Sequence, residues 1–226
     1  MTPLPRRLFA EFLGTALLLA TVVGSGVMGM ELSGGNRGVA LLANAGATAA
    51  ALYVLIVLLG PVSGAHMNPA VSLVARLRGE LDARTLAGYV LAQVAGAVAG
   101  VALAHLMFGL DVVQWGDHAR TGASQWLSEA VATAGLVLTI VLGLRQRAAA
   151  VPALVAAYIF AAYWFTASTS FANPAVTLAR SITRTFAGIR PVDVPGFVIA
   201  QLAGALLGLA MARALAGDDR RVDRPQ

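Results

Sequence analysis

The tripeptide Asn-Pro-Ala occurs twice in this chain, at Asn68-Pro69-Ala70 and Asn173-Pro174-Ala175, each time at the start of an apolar segment too short to cross a bilayer. Proline at the first position of a helix gives up an N–H that would have no partner there, and the preceding asparagine caps the remaining free donors, so each tripeptide reads as a helix start. The segments from Asn68 to Arg78 and from Asn173 to Thr183 run about eleven residues each, or about 16 Å of helix. A hydrocarbon core is about 30 Å thick, so such helices reach only halfway and begin at the midplane. The stretches before them, Ser63-Gly64-Ala65-His66-Met67 and Ser168-Thr169-Ser170-Phe171-Ala172, must then be non-helical backbone inside the membrane. Backbone of that kind is tolerated only where it is buried in protein or lines a wet cavity.

A membrane setting follows from composition: of 226 residues, 58% are hydrophobic and 12% charged, with mean hydropathy +0.76, values far from those of soluble domains. Six stretches are long and apolar enough to span, roughly Leu8 to Met30, Val39 to Leu59, Leu86 to Leu110, Trp126 to Leu144, Ala148 to Thr166 and Val194 to Leu215. The first has a longer apolar run than a signal peptide and contains Glu11, so it reads as a retained helix. All 16 basic residues are arginine. Arg6, Arg7, Arg76, Arg78, Arg84, Arg145, Arg147, Arg213, Arg220, Arg221 and Arg224 fall on one side, and Arg37, Arg120, Arg180, Arg184 and Arg190 on the other, which predicts cytoplasmic termini. The arginines form no long run of the kind that binds nucleic acid, and the absence of cysteine excludes thiolate chemistry and disulfides.

The chain is also a tandem repeat. Ala10-Glu11 with Thr15-Ala16 matches Ser128-Glu129 with Thr133-Ala134, and the run beginning Ala92-Gln93 matches that beginning Ala200-Gln201. The expected organisation is one domain over residues 1–226, with repeats at about 8–110 and 126–215. Three spans per repeat force the second half to enter the membrane inverted, so the two half-helices approach from opposite faces. Free carbonyls along each entry segment then offer acceptors, the Asn68 and Asn173 amides offer donors, and two helix N-termini disfavour cations at the centre. Such a path suits a neutral hydrogen-bonding solute. Gly96/Gly100 and Gly204/Gly208 are GxxxG pairs at equivalent places, expected to bring the two halves together.

The paired motifs, the context SGAHMNPAVSL, and the matched Glu and Gln helices resemble the aquaporin, or major intrinsic protein, family over about Leu8 to Leu215. The resemblance implies an all-α channel of six transmembrane helices plus two re-entrant half-helices, usually a homotetramer with one pore per subunit, with no cofactor and no metal. It places a selectivity filter at Thr48, Ala161, Ser170 and Val176. Water-selective members typically carry an aromatic, His, a small residue and Arg there; here all four are small or medium-sized. It also assigns Glu11 and Glu129 to bracing the re-entrant loops, which Gln93 and Gln201 would assist, and puts His66, Phe171 and Ala172 along the pore.

An NPAV second motif with small filter residues resembles bacterial aquaglyceroporins associated with arsenic-resistance operons. That implies a bacterial inner-membrane channel of broad selectivity for water, glycerol and metalloid acids such as arsenite, with methylated arsenicals included. Narrower readings are a water-selective or glycerol-type channel without an arsenic role. A proton-coupled secondary transporter would instead use Glu11 and Glu129 as relays, and an enzyme would need a nucleophile or metal cluster that the chain lacks.

Several residues keep two roles open. Arg180 follows Val176 by one helical turn, and serves either as a vestibule charge replacing the missing filter arginine or as a cap on the half-helix C-terminus. Asn44 either extends a polar pore stripe or bonds a neighbouring helix. His66 titrates near neutrality when free, so a pH gate stands beside a plain pore-wall role.

Overall fold

The structure, a computed structural model, describes residues 2–216. The polar segment from Gly217 to Gln226, expected to be a mobile tail and including Arg220, Arg221 and Arg224 of the charge comparison, lies outside the described residues. Eight α-helices occur among those described: α1 Leu4–Leu32, α2 Arg37–Ser63, α3 Pro69–Leu77, α4 Ala83–Met107, α5 Ala123–Arg147, α6 Val151–Phe165, α7 Pro174–Ala179 and α8 Val194–Ala216. No strand occurs among the described residues.

Local chemistry explains the boundaries. Asn36 accepts from the N–H groups of Gly38 and Val39 to start α2, and Asp82 accepts from Thr85 to start α4. Gly64, at φ 89°, ends α2 in the left-handed conformation that glycine adopts at no steric cost. The helices are apolar outside and polar inside: Leu91, Leu106 and Ile199 are exposed, whereas Glu11, Gln93, Glu129 and Gln201 are fully buried. This distribution suits lipid as the outer solvent.

The stretch Ala123–Phe165 is helical over nearly all of its 43 residues. Straight, it would measure about 65 Å, twice a bilayer core. It folds back at Arg147 (φ −152°, ψ 74°), and a 3₁₀ turn over Ala148–Ala150 leads into α6, which packs against α5. The six spans are therefore α1, α2, α4, α5, α6 and α8. They are unequal, because α2 has 27 residues and its repeat partner α6 has 15. The half-helices also differ from the expected eleven residues each: α3 has nine, and α7 has six before a 3₁₀ turn at Arg180–Ile182.

Packing corrects the expectation for the glycine pairs. A Cβ on Gly96 or Gly100 would lie 2.2 Å or 2.1 Å from the carbonyl oxygen of Phe12 or Ala16, and one on Gly204 or Gly208 would lie 2.3 Å or 2.4 Å from that of Ala130 or Ala134. These glycines thus close α4 on α1 and α8 on α5, within each repeat. The halves meet elsewhere, where α2 packs on α6 and where each half-helix touches the other repeat, α7 on α4 and α3 on α8. A GxxxG pair marks close approach without naming the partner helix, since it is equally compatible with either.

Gly100→Ala is expected to lower stability by about 1–3 kcal/mol, because backbone faces backbone and neither side can yield. Gly60→Ala is the control, since a Cβ there meets nothing within 4 Å. Thermal unfolding in detergent measures both; equal melting temperatures for the two variants would refute the close-packing argument.

Candidate functional site: a membrane-centre cavity

Two re-entrant segments and two half-helices build the site. Asn68 Oδ1 accepts from Ala70 N at 2.9 Å, and Asn173 Oδ1 accepts from Ala175 N at 3.0 Å and Val176 N at 3.3 Å. Each amide nitrogen reaches into the other repeat: Asn68 Nδ2 donates to Ala172 O at 2.8 Å, and Asn173 Nδ2 donates to Met67 O at 2.7 Å. An amide nitrogen carries two N–H groups, so one on each asparagine is left to meet a solute.

The loops hold strained backbone. Ala65, Met67, Thr169, Ser170 and Ala172 are non-glycine residues with φ between 48° and 60°. Left-handed residues of this kind cost about 1–3 kcal/mol each and persist where their surroundings over-determine them. Two buried carboxylates do this. Glu11 accepts from His66 N (2.9 Å), Met67 N (2.6 Å), Ser63 Oγ (2.6 Å) and Gln93 Nε2 (2.8 Å). Glu129 accepts from Phe171 N (2.9 Å), Ala172 N (2.9 Å) and Gln201 Nε2 (2.5 Å). The two glutamines extend the same pattern, Gln93 to Ser72 Oγ and Gln201 to Thr177 Oγ1.

The carbonyls of Gly64, Ala65 and His66, and of Thr169, Ser170 and Phe171, have no hydrogen-bond donor among the described residues. A cavity of about 260 Å³ runs past these segments. Arg78 and Glu80 line one end of it, Asn68 and Asn173 the middle, and Thr48, Tyr163, Val176 and Arg180 the other end. Leu52, Ile56, Leu136 and Ile140 supply an apolar wall. A solute can exchange hydrogen bonds along the polar side while the apolar side offers none that would hold it.

His66, Ser170, Phe171 and Ala172 all line this cavity. Ala161 does not. It is exposed on the outward face of α6, while Ile159 and Tyr163, four residues and one turn apart, share the cavity face. Position 161 lies about 200° around the helix from each of them. The Tyr163 hydroxyl donates to Thr48 Oγ1 at 3.4 Å, so an aromatic residue stands beside Thr48 where a small one was expected. Asn44 donates to Val22 O at 2.7 Å and Ser25 Oγ at 2.9 Å, joining α2 to α1 and not facing the cavity.

Several positioning residues escaped sequence reasoning. Ser63 and Ser168 stand five residues before each tripeptide asparagine, and each accepts from the N–H two residues on, Ala65 at 3.1 Å and Ser170 at 3.2 Å. Ser72 and Thr177 stand four residues after the asparagines. Both pairs occupy matched positions in the two repeats, which was the available signal. Tyr89 donates to Ser63 O at 2.6 Å and packs edge-on against His66. Arg120, in the α4–α5 connection, donates to Gly188 O at 2.9 Å and Ser168 O at 3.1 Å. Nothing local in the sequence marks it.

Known proteins resemble this chain in sequence and in fold. The family model described as major intrinsic protein matches residues 2–167. "Aquaglyceroporin AqpS" of Rhizobium meliloti (strain 1021) is 60% identical over 221 residues, covering 98% of this chain and 94% of that protein. "Aquaporin NIP1-1" of Arabidopsis thaliana is 38% identical over 109 residues, covering 48% of this chain and 36% of that protein. Among solved structures, the aquaglyceroporin from Plasmodium falciparum superposes with a TM-score of 0.70 over 93% of this chain and 94% of that one, at 17% identity, and so speaks for the fold. With a family model matching most of the chain and a full-length relative at this identity, the chain belongs to the major intrinsic protein family and is a multi-pass membrane channel, not an enzyme.

Proposed function

We propose that this channel is an aquaglyceroporin of broad selectivity, passing water, glycerol and uncharged metalloid acids such as arsenite, with methylated arsenicals in the same range. The observation that carries the reading is Val176, a cavity-lining side chain directly after the second tripeptide, grouped with Thr48 and Ser170. An arginine there would add bulk and five fixed donors; valine adds neither. The relative named as an aquaglyceroporin, similar over nearly its whole length, supports the glycerol part. The metalloid part follows from size and chemistry, since a neutral trihydroxy acid offers the same hydroxyl groups as a small polyol.

The cellular setting belongs to the same proposal: a bacterial plasma-membrane protein with cytoplasmic termini, assembled as a homotetramer with one pore per subunit. A proton-coupled transporter is disfavoured because Glu11 and Glu129, the acids it would use as relays, have both oxygens engaged by loop N–H and glutamine donors. Stopped-flow light scattering on proteoliposomes under water, glycerol and arsenite gradients tests the reading. The expected result is flux linear in the gradient for all three and independent of proton or sodium gradients. Water flux without glycerol flux would overturn it, as would saturable, coupled uptake.

A further inference from the structure

The charge missing at Val176 reappears one turn along. Arg180, at the end of α7, is 2% exposed and lines the cavity. Its side chain bonds to none of the α7 carbonyls. The Nε–H donates to Ala187 O, and the guanidinium carbon lies 3.4 Å from the centroid of the Phe171 ring. A guanidinium has five N–H groups. Among the described residues none of the other four has a hydrogen-bond acceptor, and Nη1 is a fully buried atom.

A second orphan belongs to the same cavity lining, beside the Phe171 on which Arg180 stacks: Ser170 Oγ, buried and without a partner. Thr48 and Tyr163 add hydroxyl groups at this end. Arg120 sits on the same Phe171 ring, 4.9 Å from its centroid, and brings a second buried cation. Neither arginine forms an ion pair among the described residues. The nearby carboxylates are committed elsewhere, Glu129 to the Phe171 and Ala172 N–H groups and Gln201, and Asp193 to Arg190 and to the Arg120 N–H. Burial of a guanidinium without a counter-charge is costly, and such a group attracts an anion that can accept its hydrogen bonds.

We propose that Arg180 and Ser170 form a subsite for small monovalent oxyanions at the Val176 end of the pore, with Arg180 Nη1 and Ser170 Oγ as its donors. The subsite takes a planar or tetrahedral anion whose oxygens accept from both, and rejects cations. It makes Arg180 a specificity-determining residue and leaves the adjoining stretch at Val176 open to bulk. The inference rests on the channel reading above and adds a charged class of ligand to it.

Nitrate is the probe, because it is small, planar and ionised at every usable pH, so no neutral acid form confuses the result. Glycerol flux into proteoliposomes is measured in nitrate and in gluconate at equal ionic strength, each protein compared with its own flux in gluconate. Nitrate is expected to slow glycerol flux severalfold in the wild type at millimolar concentration. Arg180→Gln is expected to weaken that inhibition at least tenfold, and Arg180→Lys to keep part of it. Ser170→Ala, which leaves the guanidinium in place, is expected to weaken it severalfold and decides the matter should Arg180→Gln fail to fold. Equal flux in nitrate and gluconate, or undiminished inhibition in the folded variants, would overturn the subsite. Should the wild type carry no glycerol, the solute reading fails by itself. Calorimetric titration of nitrate into the detergent-solubilised wild type and Ser170→Ala then tests the subsite independently, and no heat of binding to the wild type overturns it.

Discussion

Glu129→Ala is expected to abolish the folded channel. The substitution removes the acceptor for Phe171 N, Ala172 N and Gln201 Nε2, all of them buried. Each orphaned donor costs about 1–3 kcal/mol, so the three together cost more than about 3 kcal/mol. The same bonds hold a loop in which Thr169, Ser170 and Ala172 are left-handed, so that strain too loses its restraint. Against a total stability of about 5–15 kcal/mol, the sum takes away much of what keeps the protein folded. Glu129→Gln keeps the shape and one acceptor oxygen while placing an amide N–H₂ against donors, and should fall between alanine and wild type. Size-exclusion profiles and melting curves in detergent report the outcome. A monodisperse Glu129→Ala protein melting within a few degrees of wild type would show that the carboxylate is dispensable.

Val176→Arg is expected to cut glycerol flux about tenfold or more, a barrier increase of about 1.4 kcal/mol, while water flux falls less. The longer side chain enters a cavity of about 260 Å³ at the level of Thr48 and Tyr163. It also places a further guanidinium one helical turn from Arg180, where Arg120 already shares the Phe171 ring. These cations repel it, so the new side chain is driven across the lumen and does not fold back along α7. Stopped-flow measurement of both solutes on the same vesicle preparation gives the ratio directly. An unchanged glycerol-to-water ratio would mean that the width of the pore is set elsewhere.

The architecture was readable because lipid leaves so few options. A segment of about eleven residues cannot cross, a proline after a capping asparagine must start a helix, and three spans per repeat must invert the second half. The helix starts at Asn68 and Asn173 follow directly from that reasoning, down to the capping oxygens. What stayed hidden depended on direction in space. Ala161 was reached by carrying a family offset back across the loop from Phe165 to Asn173, and a shift of two residues turns a side chain from lumen to lipid. The glycine pairs marked close approach without naming the partner helix. The early end of α7 depends on a turn that brings Ala187 and Ile189 back onto Arg180, and the brace supplied by Arg120 on Gly188 and Asp193, which lie 68 and 73 residues away in sequence.

The crossed asparagine bonds set the order in which this molecule can be completed. Asn68 donates to a carbonyl 104 residues later in the chain, and Asn173 to one 106 residues earlier. At a synthesis rate of about 5–20 residues per second, the first asparagine waits about 5–20 s for its acceptor to exist. Glu11 and Gln93 can hold the first loop during that interval, since all their partners lie in the first half. The midpoint therefore cannot close until the second re-entrant segment exists, and a chain stalled after its first repeat leaves the Asn68 amide and the Met67 carbonyl without their counterparts inside the bilayer.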